Sequence, residues 1–379
     1  MRDLIVLLAL ASPLAASPQI RFGPGVCGPI DPVYIRTATE TGGQPFPVSS
    51  SEIAKLANIM VESSRSDHVR ILWAGGAAAD AAQGFNIPID ASVTRVTFSA
   101  MFDRTGGSVT IVPPDGSPIQ QRAGIEDTVL NCGRLLSVDA PASGVWRVNL
   151  QPSDRFWLVV HGRSDRDILS AEFVRVGGRP AHEGLFRIQG RPLAGRPATL
   201  RVRLSGPEVT TPQFVLISAQ GQPLQRIELA RVDEDEFVGT IDLPEVAFRV
   251  AVTGVDADGA SYQRVYRAPF RGELVQIEPG SVDTVAAGQE TALGFTIRNL
   301  GPRARYRVTA AFEGTVVKKV EPEIVEIDEG ADRRITVWVS PSASAAPDSE
   351  VELTVVASSE GTPRETMNSV VQRLRIVKN

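Results

Sequence analysis

The sequence predicts a mainly β protein, built from three tandem β-sandwich modules that one short helix precedes. Three observations favour this class. Apolar and polar residues alternate over many short segments, which is typical of strands with one buried face. The 33 glycines and 27 prolines are spread along all 379 residues and separate these segments as turns. Only one stretch places its apolar residues at helical spacing.

Composition restricts the possible partners. The net charge of −5 is small for a chain of this length, so nucleic acid is not a predicted partner. We predict no cofactor. The expected partner is an extracellular or envelope protein, with a glycan as the alternative.

The first residues, 1–17, are predicted to be a signal peptide. Arg2 precedes the apolar run Leu4–Ala11, which is too short to span a bilayer, and small residues follow it. No later apolar stretch reaches the roughly 18 residues that a membrane-spanning helix needs. The predicted location is therefore secreted, extracellular or periplasmic, and the chain is not expected to span a membrane.

Two cysteines, Cys27 and Cys132, are present in the chain. In an oxidising compartment they are predicted to form one disulfide bond, and two separate buried thiols are the alternative. The three histidines are widely separated, and no spacing typical of metal ligands occurs. No metal site is predicted.

Residues 18–67 contain the predicted helix. Ser49 and Glu52 form a capping box, and apolar residues then recur at helical spacing at Ile53, Leu56, Ile59 and Met60. The run YIRTATETGGQPFPVSSSEIAKLANIMVESS resembles the end of a von Willebrand factor type A domain. The metal-binding Asp-x-Ser-x-Ser loop of such domains has its nearest match at Asp90-Ala-Ser92-Val-Thr94. That match lies between two predicted strands, so we interpret it as a turn.

Residues 68–177 are predicted to form a jelly-roll sandwich. Its strands are predicted at Val69–Trp73, Phe85–Ile89, Val93–Phe102, Ser108–Val112, Leu135–Val138, Val145–Leu150, Phe156–Val160 and Ile168–Val176. The sequence Ser143-Gly-Val-Trp-Arg-Val-Asn-Leu150 resembles a strand of galactose-binding-like domains. Trp146 and Trp157 are interpreted as core residues. Trp73 is the candidate platform for a ligand.

Residues 181–270 are predicted to form an immunoglobulin-like sandwich without an internal disulfide. Its strands are predicted near Ala198–Leu204, Gln213–Ile217, Gln225–Ala230, Glu236–Ile241, Ala247–Val252 and Tyr262–Tyr266. The last two form a hairpin whose turn, Asp256–Gly259, uses Gly259 for a positive φ angle. The turn resembles the start of a calcium loop, but it has no glutamate at the last position.

The end of this module resembles the N-terminal region of the hemicentin family and of a related vertebrate protein with a type A domain. The residues that carry the resemblance, here called the hairpin signature, are Phe248, Val252, Gly254, Asp256, Asp258, Gly259, Gln263 and Arg264. The order of the modules along the chain also agrees. The resemblance implies an extracellular adhesive or scaffolding role and carries over no catalytic residue.

Residues 274–378 form the third predicted module, also immunoglobulin-like. Its pattern resembles domains appended to exported bacterial proteins, and the chain is accordingly predicted to be a bacterial relative. The predicted strands are Val282–Ala286, Thr291–Arg298, Arg305–Phe312, Val316–Val320, Ile324–Ile327, Arg333–Val339, Glu350–Ala357 and Val370–Val377.

No motif for catalysis was found. The chain lacks Gly-x-Ser-x-Gly, the zinc-protease helix motif and a phosphate-binding glycine loop. We therefore predict that the protein is not an enzyme but an adhesion or scaffolding protein that binds another macromolecule. The alternative is a carbohydrate-binding accessory protein that acts through residues 68–177.

Overall fold

The structure is a computed structural model that describes Cys27 and residues 30–56, 67–77, 82–120, 122–151, 154–179, 182–206, 212–256, 259–313, 317–361 and 366–378. The predicted signal peptide lies outside these residues, and so do Ile59 and Met60 of the predicted helix. The chain divides into two compact units. The first consists of Met1–Ala171, Arg201–Gly239 and Ala247–Pro269, and the second of Glu172–Leu200, Thr240–Val246 and Phe270–Asn379.

Strands make up most of the described chain, and short helices precede them, which confirms the predicted mainly β class. No helix within the described ranges has the length and apolar character that crossing a membrane requires.

Two helical elements lie at the start. Helix α1 (Pro32–Glu40) begins after Asp31, whose carboxylate accepts a hydrogen bond of 2.8 Å from the Val33 N–H. The predicted helix at Ser49 is a 3₁₀ helix in its described part, Ser50–Leu56. A short helix thus precedes the strands, as predicted, and half of the capping box forms: the Ser49 N–H donates to the Glu52 carboxylate at 3.1 Å.

Eight strands of the first unit form two facing antiparallel sheets, here called the first sandwich. The larger sheet has the order β1-β8-β3-β6-β5 and the smaller one β2-β7-β4. The strands are β1 (His68–Ala77), β2 (Gln83–Ile89), β3 (Arg95–Phe102), β4 (Ser108–Val112), β5 (Ile125–Leu130), β6 (Gly133–Asp139), β7 (Gly144–Gln151) and β8 (Arg155–Arg163).

The core of the first sandwich lies between these sheets. Phe98 from the larger sheet and Trp146 from the smaller one meet there, with ring centroids 5.3 Å apart. Trp146 and Trp157 are 3% and 2% exposed, so both are buried as predicted. Two strands differ from the prediction: β5 was not predicted, and the predicted last strand near Ile168 belongs to another sheet.

The next nine strands form two further sheets, ordered β10-β9-β11-β15-β14 and β13-β12-β16-β17. In the first unit, Phe214 and Phe237 pack with ring centroids 5.1 Å apart. The strands are β9 (Ile168–Arg179), β10 (His182–Arg187), β11 (Pro197–Leu204), β12 (Gln213–Ser218), β13 (Pro223–Ile227), β14 (Ala230–Arg231), β15 (Glu236–Asp242), β16 (Phe248–Val255) and β17 (Ser261–Val265).

The last nine strands belong to the second unit and enclose a separate apolar core. Their sheets have the orders β18-β20-β24-β22 and β19-β26-β25-β21-β23. The strands are β18 (Val275–Pro279), β19 (Thr284–Ala286), β20 (Thr291–Asn299), β21 (Ala304–Phe312), β22 (Val317–Glu321), β23 (Ile324–Ile327), β24 (Asp332–Val339), β25 (Glu350–Glu360) and β26 (Met367–Val377). The domain boundaries given by residues 68–177, 181–270 and 274–378 stay predictions, which folding of separate fragments can test.

Candidate functional site

The hairpin signature lies on β16, on β17 and in the turn between them, in the first unit, and its Asp258 lies outside the described residues. The two strands pair antiparallel, with Gly254 opposite Tyr262 and Val252 opposite Arg264. A Cβ atom on Gly254 would lie 2.6 Å from the Tyr262 ring, so the absence of a side chain leaves room for this ring. Gly259 has a φ of 83°, as predicted, and the Asp256 carboxylate accepts a hydrogen bond of 2.8 Å from the Ala260 N–H.

The last two signature residues contact the first sandwich. Gln263 donates its side-chain amide to the Ile71 carbonyl of β1 at 2.8 Å. Arg264 is fully buried. Its guanidinium donates to the Asp90 carboxylate at 2.8 Å and to the carbonyls of Arg166 and Gln263 at 2.7 and 2.8 Å.

The remaining donors of Arg264 reach two hydroxyl groups. Ser92 and Ser164 accept hydrogen bonds of 3.1 and 3.0 Å from Nη2. Since an arginine carries five N–H groups, every donor of this side chain has an acceptor. We call Arg264, Asp90, Ser92, Ser164 and Arg166 the Arg264 network.

Asp90, the predicted turn residue, is the only carboxylate of this network. Its Oδ1 accepts hydrogen bonds from the Ser92 N–H, at 3.1 Å, and from the Ser92 hydroxyl. Burial by itself would raise the pKa of the carboxyl, but the charge and hydrogen bonds of Arg264, together with those of Ser92, hold the pKa below its usual value. The sequence that most resembles a metal-binding loop therefore forms a turn that binds an arginine.

A second structural group ties the N-terminal segment (residues 30–56) to the outer face of the larger sheet. Apolar side chains of this segment pack against Trp73, Met101, Leu130 and Trp157. The Glu52 carboxylate accepts a hydrogen bond of 2.8 Å from the Asn131 N–H. Next to Asn131, Cys132 is bonded to Cys27, so the predicted disulfide is present.

Trp73, the candidate ligand platform, lies beneath this segment and is 1% exposed. Its indole N–H donates to the Gly43 carbonyl at 3.1 Å. The Arg249 guanidinium lies 3.8 Å from the ring centroid, which is a cation–π contact. A ligand could stack on this face only after Arg249 had moved, and a platform at Trp73 stays a prediction.

The described ranges contain no group of three or more histidine, cysteine, aspartate or glutamate side chains placed to hold a metal ion. The Arg264 network was not predictable from local sequence, because Asp90 and Arg264 lie 174 positions apart. The signal that pointed to it was the Gln-Arg pair that ends the hairpin signature.

Fold and site together define a class: a chain of β-sandwiches, joined in its first unit by a buried polar network, with an immunoglobulin-like domain at residues 274–378. A family model described as the VWA7 Ig-like domain matches these last residues. This part of the chain is thus an immunoglobulin-like region similar to that of VWA7.

Two curated proteins are also similar to this chain in sequence. Hemicentin-1 of Mus musculus is 26% identical over 251 residues, which cover 63% of this chain and 4% of hemicentin-1. The von Willebrand factor A domain-containing protein 7 of Mus musculus is 24% identical over 265 residues, covering 63% of this chain and 29% of that protein. The chain therefore spans only a small part of these relatives.

Among solved structures, a DUF4785 family protein from Legionella pneumophila is 11% identical, and the match covers 80% of this chain and 89% of that one. The TM-score is 0.40, which is too low to indicate a shared overall fold.

Proposed function

We propose that this chain is a non-catalytic, secreted or cell-surface protein with an adhesion or scaffolding role, and that its β-sandwich modules bind another macromolecule. The observation that carries this proposal is the match of residues 274–378 to the VWA7 Ig-like domain, together with the likeness to hemicentin-1. These relatives support an adhesion or scaffolding role, and the bound partner has to be found by experiment.

Two features of the structure support an exported scaffold. The Cys27–Cys132 disulfide is typical of proteins that fold in an oxidising compartment. In the Arg264 network, the buried guanidinium donates hydrogen bonds to the Asp90 carboxylate and to the Arg166 carbonyl. These bonds stabilise the contact between the hairpin and the first sandwich. Rigid sandwiches of this kind present loops and strand edges for recognition.

Export can be tested with two full-length chains, one with residues 1–17 and one without them. We expect the first to reach the periplasm or the medium, to lose its N-terminal residues and to contain no free thiol. Retention of both chains in the cytoplasm would contradict the predicted location.

Binding can be tested with the mature protein immobilised on a sensor surface. Partners captured from an extracellular or envelope fraction are purified, and their affinity is measured with the soluble chain as competitor. A saturable, competed interaction with a defined protein supports the proposal. A glycan array incubated with the mature protein tests the carbohydrate-binding alternative. Specific glycan binding that residues 68–177 account for would favour that alternative.

A further inference from the structure

Arg70 and Arg249 are two basic side chains of the first unit that have only carbonyl oxygens as hydrogen-bond acceptors. Arg70 is on β1 and Arg249 on β16. Within the described part of the chain, neither has a carboxylate within salt-bridge distance. They differ in this respect from Arg264, whose charge is balanced by Asp90.

Arg249 is 2% exposed, and its Nε has no hydrogen-bond partner. Besides the contact with Trp73, the guanidinium donates one long hydrogen bond, 3.4 Å, to the Thr39 carbonyl. Burial, and then the positive charge of Arg70, lower the pKa of Arg249 to about 9. An unpaired buried donor destabilises the folded state, so an acceptor at this position would stabilise the fold.

Arg70 is half-buried and donates a hydrogen bond of 2.8 Å from Nη1 to the Arg267 carbonyl. Its Nε is buried without a partner. Burial and the charge of Arg267 lower the pKa of Arg70 to about 10, although the carboxyl of Asp167 opposes the shift. The positive charges of Arg70 and Arg249 thus act on each other, and neither forms an ion pair with a carboxylate in the described ranges.

His161 lies next to Arg70, because the two residues are register partners on β8 and β1. The Nδ1 atom of His161 is buried without a hydrogen-bond partner. The imidazole stacks on that of His68 with ring centroids 4.2 Å apart. Burial and the charges of His68 and Arg70 keep the pKa of His161 well below its usual value.

We propose that Arg70 and Arg249, with the neutral imidazole of His161 beside them, form a binding site for a single oxyanion of the sulfate, phosphate or carboxylate class. The guanidinium fork matches the oxygens of these anions, and a charged acceptor forms the stronger kind of hydrogen bond. One bound anion would give acceptors to the unpaired Nε groups and would balance the excess positive charge. The site is independent of the proposed adhesion role, since it needs no macromolecular partner.

The test uses the full-length mature protein and inorganic sulfate as the first probe, with sodium chloride at matched ionic strength. We expect sulfate to raise the melting temperature saturably by a few degrees, because a ligand that binds only the folded state stabilises it. Chloride should give no such saturable rise. Parallel titrations with phosphate and acetate distinguish a tetrahedral anion from a carboxylate.

Arg70→Gln is the principal variant, because Arg70 is the less buried of the two arginines. It should weaken sulfate binding at least tenfold, whereas Arg104→Gln, at an exposed ion pair with Asp154, should leave binding unchanged. In the unaltered protein, the Nε–Hε signals of Arg70 and Arg249 in NMR spectra should shift during the titration. Sulfate and chloride acting equally, or unchanged sulfate binding by Arg70→Gln, would overturn the proposal.

Discussion

Arg264 and Asp90 form an ion pair in which both side chains are 0% exposed. Removing one partner of such a pair leaves an uncompensated buried charge, which typically costs about 3–5 kcal/mol. Arg166 Nη1 would remain 3.6 Å from the Asp90 carboxylate, so we expect Arg264→Gln to lower the free energy of unfolding by up to that amount. Urea denaturation at pH 7 measures the change. In a double-mutant cycle with Asp90→Asn, the losses should not be additive, since Asp90→Asn removes the charge that Arg264→Gln leaves unpaired.

Arg203 and Asp235 provide the matched control. They form an ion pair at 2.6 Å in the same unit, but their side chains are 48% and 36% exposed. Breaking an exposed pair usually costs much less than breaking a buried one, because water already screens both charges. If Arg264→Gln destabilised the protein no more than Arg203→Gln does, the stabilising role of the Arg264 network would be wrong.

The pKa of Asp167 is shifted in the opposite direction from that of Asp90, so its effect on stability has the opposite dependence on pH. Burial raises its pKa from 3.8 to about 6, although the N–H of Ile168 and the charges of Arg264, Arg267 and Arg70 oppose the shift. Between those two values the folded protein holds a proton that the unfolded chain has released. This group therefore makes the protein less stable as the pH rises from about 4 to 6.

Asp167→Asn should remove that loss and stabilise the protein at pH 7 by up to about 3 kcal/mol, given about 1.4 kcal/mol for each pKa unit. Unfolding measured by urea at several pH values gives the slope, and the carboxyl carbon signal in NMR spectra reports the pKa directly. Asp165→Asn, at an exposed position, is the control. An Asp167 carboxyl that titrates near 4 would contradict the prediction.

At the scale of single elements, the N-terminal segment makes Trp73 part of the core. Replacing a buried tryptophan by alanine typically costs about 3–5 kcal/mol, and we expect Trp73→Ala to fall in this range. Trp338→Ala, at a half-buried position of the second unit, should cost less. Thermal unfolding followed by circular dichroism measures both.

The same variant tests the interpretation of Trp73 as a ligand platform. A platform residue would give the reverse pattern, with glycan binding lost and the stability almost unchanged. Glycan-array binding by the unaltered protein and by Trp73→Ala separates the two interpretations.

The elements that sequence analysis missed have identifiable physical causes. Strand β5, with the sequence IEDTVL, has few apolar residues, and its Val129 is 69% exposed, so alternation gives little signal there. The capping box at Ser49 was predictable, but Glu52 also binds the Asn131 N–H of the first sandwich. A local pattern does not predict the contact that one of its side chains makes with a distant turn.

At the scale of the whole molecule, most strands were predictable, because alternation depends on which face of each strand is buried. The pairing of Asp90 with Arg264, and the burial of Trp73 under residues 30–56, depend on contacts between distant positions. Composition and periodicity carry no information about such contacts. The hairpin signature indicated that Gln263 and Arg264 were important but not what they bind.

The predicted boundary at residue 274 can be tested by expressing residues 274–378 alone. These residues enclose an apolar core of their own, in which Leu353 and Val337 are fully buried. Asn299 is buried as well: its carboxamide donates to the carbonyls of Pro302 and Ile327 and accepts a hydrogen bond of 2.8 Å from the Tyr306 hydroxyl. We expect the fragment to unfold cooperatively in urea.

Two variants of the fragment test whether its apolar core is packed as in the full-length protein. Leu353→Ala should lower the free energy of unfolding by about 2–5 kcal/mol. Lys318→Ala, at an exposed position, should change it by less than about 0.5 kcal/mol. The fragment lacks Glu273, a fully buried carboxylate that accepts hydrogen bonds from Arg191 at 2.7 Å and from Thr366 at 2.9 Å. A fragment that failed to fold would show that the domain needs these contacts and that its boundary lies upstream of residue 274.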